Sequence, residues 1–110
     1  MKVAEDAVLL RIFMGESDKI KGKPLYEAIV KEARRLDMAG ATVFKGVLGF
    51  GADSRMHSAK LLTISEDLPV VIEIVDREDK IAKLMPFIDN HVVEGLVTKE
   101  TVHIIKYRHP

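Results

Sequence analysis

The chain has 110 residues, room for one domain around one core, and its 47% hydrophobic content excludes a wholly disordered polymer. Lys and Arg number 17 and Asp and Glu number 17, so the net charge points neither to nucleic acid nor to an anionic membrane. There is no cysteine for a disulfide framework or thiolate chemistry, and no apolar run approaches the ~20 residues of a membrane span; no signal peptide or membrane insertion is expected, and the cytoplasm is the default location.

Residues 7–14 (AVLLRIFM) are short and rich in large apolar side chains, which predicts a buried strand. Residues 15–23 are polar with two glycines, a loop. Pro24 suits the first turn of a helix, and Leu25, Ile29, Ala33 and Leu36 then recur at helical spacing to about Met38, with Gly40 as the expected stop. Residues 41–48 predict a second strand. Residues 49–60 (GFGADSRMHSAK) are too long for a tight hairpin turn and predict a functional loop, after which 61–64 resume extended structure. Pro69 marks a strand entrance and 70–75 (VVIEIV) a strand. Asp76 is expected to cap a second helix carrying Ile81, Leu84, Met85 and Ile88, with Pro86 kinking or shortening it. Residues 96–107 predict the last strand, with a turn or bulge at Thr98-Lys99-Glu100.

The order β-α-β, long connection, β-α-β predicts an α+β fold. It is a ferredoxin-like βαββαβ sandwich over residues 1–110, with a four-stranded antiparallel sheet and both helices on one face. The apolar strands 7–14 and 70–75 predict that other subunits cover the second face, hence a homo-oligomer.

The stretch from Gly40 to Gly51 holds four glycines in twelve residues. Glycine in a regular element costs ~0.5–1 kcal/mol, so this density predicts close approach of a ligand or another backbone. Gly46, Gly49 and Gly51 can present successive N–H groups to an anion. Lys45 and Arg55 flank the run, and Gly15, Ser17 and Lys19 can cap the same cleft. Lys106 and Arg108 alternate on the predicted last strand and so share a face, a pairing suited to phosphate. The histidines His57, His91, His103 and His109 lack the i, i+4 spacing of a helical zinc site, so no metal site is expected. Glu73 and Asp76 have no nucleophile or organising histidine nearby, and no catalytic motif is present; no enzyme activity is expected.

The run Gly40-Ala41-Thr42-Val43 followed by Gly49-Phe50-Gly51 resembles PII signal-transduction proteins, in which a comparable strand leads to Gly-Phe-Gly and a flexible T-loop. Gly15-Glu16-Ser17-Asp18, Gly22-Lys23-Pro24-Leu25-Tyr26, Asp67-Leu68-Pro69-Val70-Val71 and Glu94-Gly95-Leu96-Val97-Thr98 extend the likeness, over essentially the whole chain, to a PII-like family of bacterial and archaeal proteins. The resemblance implies a homotrimer with an adenine nucleotide, ADP or ATP, in each cleft between subunits and no redox cofactor. It implies that residues 49–60 act as a T-loop on a partner protein, a membrane transporter or channel among the candidates. It places Thr42 near the adenine, Gly49 and Gly51 at the T-loop base, Gly95 in the second phosphate-facing loop, and Lys106 and Arg108 at the C-terminal basic pair. The nucleotide-binding set expected is thus Thr42, Lys45, Gly46, Gly49, Gly51, Arg55, Gly95, Lys106 and Arg108. The chain departs from PII at Ala52-Asp53-Ser54-Arg55 and at Val93-Glu94-Gly95-Leu96, where the phosphate-binding lysine is missing, and 49–60 contain no tyrosine. The alternative is a divalent-metal-binding or metal-tolerance trimer, with Asp53 and His57 as ligands.

Overall fold

The computed structural model describes residues 5–51, 56–58 and 67–108. Its long strands are β1 (Glu5–Gly15), β2 (Ala41–Lys45), β3 (Pro69–Asp76) and β4 (Leu96–Ile104), and its helices are α1 (Leu25–Arg35) and α2 (Glu78–His91). The strands lie in the order β2-β3-β1-β4, each antiparallel to its neighbours. This is the ferredoxin-like arrangement predicted.

Alternation explains the layering. In β3, Val70, Ile72 and Ile74 are fully buried, while Pro69, Val71, Glu73 and Val75 on the opposite face are half-buried. In β1, Leu10, Ile12 and Met14 point to the same interior. Against it pack Leu25, Ile29 and Ala33 of α1 and Ile81, Leu84 and Ile88 of α2, each set at helical spacing. Each fully buried Ile or Leu contributes roughly 1.5–3 kcal/mol, so this single layer holds the domain together.

Helix α1 ends differently from the prediction. Asp37, not Gly40, takes the left-handed conformation at φ +60°. Its N–H donates to the Arg34 carbonyl at 3.0 Å, and the Met38 N–H donates to that of Ala33 at 3.1 Å. That pair closes a helix through a left-handed residue, a position Asp tolerates better than most. Lys80 Nζ then donates to the Leu36 and Asp37 carbonyls, 3.0 Å each, where the helix dipole favours a cation.

Asp76 is not the cap of α2 either. Arg77 precedes the helix without any side-chain cap. The buried Asp76 carboxylate accepts from the N–H of Arg77 at 2.7 Å and from that of Ala39 at 2.9 Å, so it ties the α1–β2 connection to the end of β3. Pro86 sits on the exposed side of α2, which runs on to His91. Strand β4 is regular through Thr98, Lys99 and Glu100, paired with Arg11, Leu10 and Leu9, so there is no bulge there. It ends at Ile104, three residues short of the predicted Tyr107, and β2 ends at Lys45 instead of residue 48. Leu48–Gly49 instead pair with His57–Ser58, so the long loop starts as a two-rung ladder. The extended segment predicted at 61–64 lies outside the described residues.

The sheet face away from the helices carries one ion-pair cluster among apolar residues such as Leu9, Phe13, Val71 and Val75. Arg11 donates to Glu73 at 2.8 Å and to Glu100 at 2.9 Å, linking three strands, while Phe44 and Leu96 remain more than half exposed.

Asp76→Ala is expected to lower stability by about 1–3 kcal/mol, because two backbone donors lose a charged acceptor inside the fold. Urea melts with a lowered midpoint and an unchanged slope confirm it; an unmoved midpoint removes Asp76 from the frame.

Candidate functional site

Two clefts lie at opposite ends of the sheet. The first, about 670 Å³, opens where β1 and β2 finish and β3 and β4 begin. Phe13, Val71 and Leu96 give it apolar walls, and Gly46, Gly49, Gly51 and Gly95 line it. Two of these glycines are dictated by backbone packing. Gly95 has φ +150°, and a Cβ there would sit 2.5 Å from the Phe13 carbonyl oxygen. A Cβ on Gly46 would sit 2.9 Å from Pro69 Cγ. Among the described residues nothing lies within 4 Å of a Cβ built on Gly51, so no described neighbour demands a glycine there.

The Gly46 N–H donates to the Pro69 carbonyl at 2.6 Å. It is therefore engaged by the protein and does not join Gly49 and Gly51 in an anion nest. Lys45, beside it, is held by Glu16 at 2.5 Å, and that carboxylate raises the lysine pKa. The acids Asp18, Asp67 and Glu94 line the cleft, and no described lining side chain is basic.

Loop 15–18 closes one wall. The N–H groups of Gly15 and Ser17 donate to Asp18 at 3.3 Å and to Asp67 at 3.0 Å, and the Glu16 N–H donates to the Leu68 carbonyl at 2.8 Å. This network joins the exit of β1 to the entrance of β3. Burial pushes the Asp18 pKa up, the Gly15 N–H opposes that, and the Asp67 charge adds to it.

The second cleft, about 610 Å³, lies at the start of β2 and the end of β4. Gly40, Thr42, Glu73, His103, Lys106 and Tyr107 line it. Thr42 and Glu73 are direct partners across β2 and β3, so their side chains emerge side by side on the face away from the helices. One Glu73 oxygen accepts from Arg11. The Tyr107 hydroxyl donates to the Ala39 carbonyl at 3.1 Å and brings the segment after β4 to the start of β2. Lys106 and Arg108 lie in this segment, past the end of the strand, so a shared strand face does not relate them.

Gly46, Gly49, Gly51 and Gly95 of the predicted set share the first cleft, while Thr42 and Lys106 share the second. Lys45 stands next to the first, paired with Glu16, and Arg108 is exposed beyond Tyr107. Arg55, Asp53 and His109 lie outside the described residues, as does the side chain of His57. Among the described residues no three His, Asp or Glu side chains are grouped to hold a metal ion. Sequence reasoning weighed Glu73 only as a catalytic acid and set it aside, and it did not single out Tyr107. The signal for Glu73 was its register opposite Thr42, visible only once β2 and β3 are paired.

Residues 7–104 match the family model DUF190, described as Uncharacterized ACR, COG1993. The chain belongs to the DUF190 family. A UPF0166 protein of Aquifex aeolicus (strain VF5) is 38% identical over 97 residues, covering 88% of this chain and 91% of its own. A UPF0166 protein of Methanocaldococcus jannaschii is 34% identical over 101 residues, covering 91% and 93%. Among solved structures, CPII from Thiomonas intermedia K12, a nitrogen regulatory PII-like protein bound to ADP, AMP and bicarbonate, aligns with a TM-score of 0.67 over 96% of this chain and 94% of its own. Its identity is 18%, so the likeness is one of fold: this DUF190 chain has the PII-like fold. No helix among the described residues is long and apolar enough to cross a membrane.

Because the fold disfavours the charged form of Asp18, that group lowers stability as pH rises through its raised pKa, and the effect vanishes where it is protonated in both states. Asp18→Asn is therefore expected to be more stable, relative to the parent, at about pH 7 than at about pH 3. Melting curves at both values test this; a difference of opposite sign contradicts it.

Proposed function

We propose that this protein is a PII-like nucleotide sensor in which each binding site is made by two copies of the chain. The observation that carries the reading is the separation of the two clefts. Backbone-lined space sits at one end of the sheet, and Thr42, Glu73 and Lys106 sit at the other. In a cyclic trimer the interface is head-to-tail, so one surface of each copy meets a different surface of the next. A homotrimer built this way brings the glycine-lined cleft of one copy against the Thr42–Glu73 cleft of its neighbour.

Each part then has a chemical role. The free Glu73 oxygen and the Thr42 hydroxyl are an acceptor and a donor suited to the edge of an adenine base. Lys106 and Arg108 supply two positive charges for phosphate, Arg in bidentate fashion. Gly49, Gly51 and Gly95 let the phosphate approach backbone. CPII, of the same fold, is bound to ADP and AMP. Residues 49–60 then act as the responsive element. A ligand favours one loop conformation only by binding it more tightly, and that conformation engages or releases a partner protein. No step of this scheme calls for bond chemistry, which accords with a non-enzymatic, cytoplasmic regulator.

Calorimetry with ADP and AMP is expected to give one nucleotide per chain on a trimer. Arg108→Ala is expected to weaken binding by about 1.5–3 kcal/mol, the range of a hydrogen bond to a charged group. Unchanged affinity in that variant takes Arg108 out of the site, and a lack of binding by any adenine compound overturns the nucleotide reading.

A further inference from the structure

We infer that the site selects a nucleotide by the charge of its phosphate chain, accepting a nucleoside monophosphate and rejecting the metal-free triphosphate, with Glu94 as the specificity-determining residue. This inference rests on the nucleotide reading above and deepens it. Three observations carry it. No described side chain lining the glycine cleft is basic, whereas Asp18 and Glu94 both line it. Lys45, next in sequence to the cleft-lining Gly46, is already paired with Glu16 at 2.5 Å. The Gly46 N–H is spent on the Pro69 carbonyl, which shortens the row of backbone donors an extended phosphate chain would use.

The charge balance follows. Lys106 and Arg108 of the neighbouring copy match the two negative charges of a single phosphate. Each further phosphate extends along the glycine cleft towards carboxylates, with no described side chain there to offset it. Glu94 lines this cleft next to Gly95, whose backbone lies close to the Phe13 carbonyl, so the chain carries an acidic residue at this wall. Like charges in a partly enclosed cleft repel much more strongly than in bulk water, and salt screens them only in part. A divalent cation brought in by the triphosphate offsets the same repulsion.

The test is calorimetry on the full chain with adenosine, AMP, ADP and ATP in buffer containing a chelator, then again with magnesium. Without metal, AMP is expected to bind about tenfold or more tightly than ATP, and magnesium to narrow the gap. Glu94→Lys is expected to improve ATP binding by about tenfold while changing AMP binding by less than about threefold. ATP binding as tightly as AMP without metal overturns the inference, as does an unchanged ATP-to-AMP ratio in Glu94→Lys; both leave the nucleotide reading standing. Failure of all four compounds overturns the nucleotide reading itself.

Discussion

The close approach of backbone at one end of the sheet governs the rest of this structure. Gly95 lies so near the Phe13 carbonyl, and Gly46 so near Pro69, that neither position has room for a side chain. The Gly46 N–H donates to the Pro69 carbonyl one step past the Lys45–Val70 pair, but Pro69 has no N–H to return, so β2 ends at Lys45 ahead of the Leu48–Gly49 ladder. The result is a concave end with backbone walls at the base of the long loop. Its stability comes from the single apolar layer beneath. That layer holds β1 and β3 against both helices, and a displacement of either strand would undo the fit of Gly95 and Gly46 together.

Much of this was legible in the sequence. Helical periodicity placed both helices, and short runs rich in large apolar residues placed the strands, since each pattern reflects burial against the core. The glycine density of 40–51 located one cleft for a sound reason, although its members serve different ends. Gly46 avoids a clash, Gly51 meets no described neighbour that would require it, and Gly40 does not end α1. Local propensity misplaced the stops. Asp37 outcompeted Gly40 because Lys80, distant in sequence, caps the carbonyls beside it. Asp76 serves Ala39 and Arg77 instead of the first turn of α2, a choice made by the tertiary approach of the α1–β2 connection. Glu73 was invisible as a neighbour of Thr42 because that pairing depends on strand register, and the sheet order sets that register.

The charges complete the picture. On the open sheet face Arg11 satisfies Glu73 and Glu100 at once, while Phe44 and Leu96 are left exposed. At the concave end the lining charge is acidic, and at the opposite end Lys106 stands beside Thr42 and Glu73. The two ends thus differ in chemistry, and a head-to-tail contact between copies would bring them together. The PII-like fold thus supplies the frame for both clefts.

The central claim, that one site is shared between two copies, is tested most directly by subunit complementation. Gly51→Trp fills the glycine cleft, and Thr42→Tyr blocks the opposite one; each variant alone is expected to bind no nucleotide. Refolded together with distinct tags and purified as mixed oligomers, they are expected to regain binding, because some interfaces then join two intact halves. Mixed oligomers that still bind nothing, or single variants that bind as the parent does, would contradict the shared site.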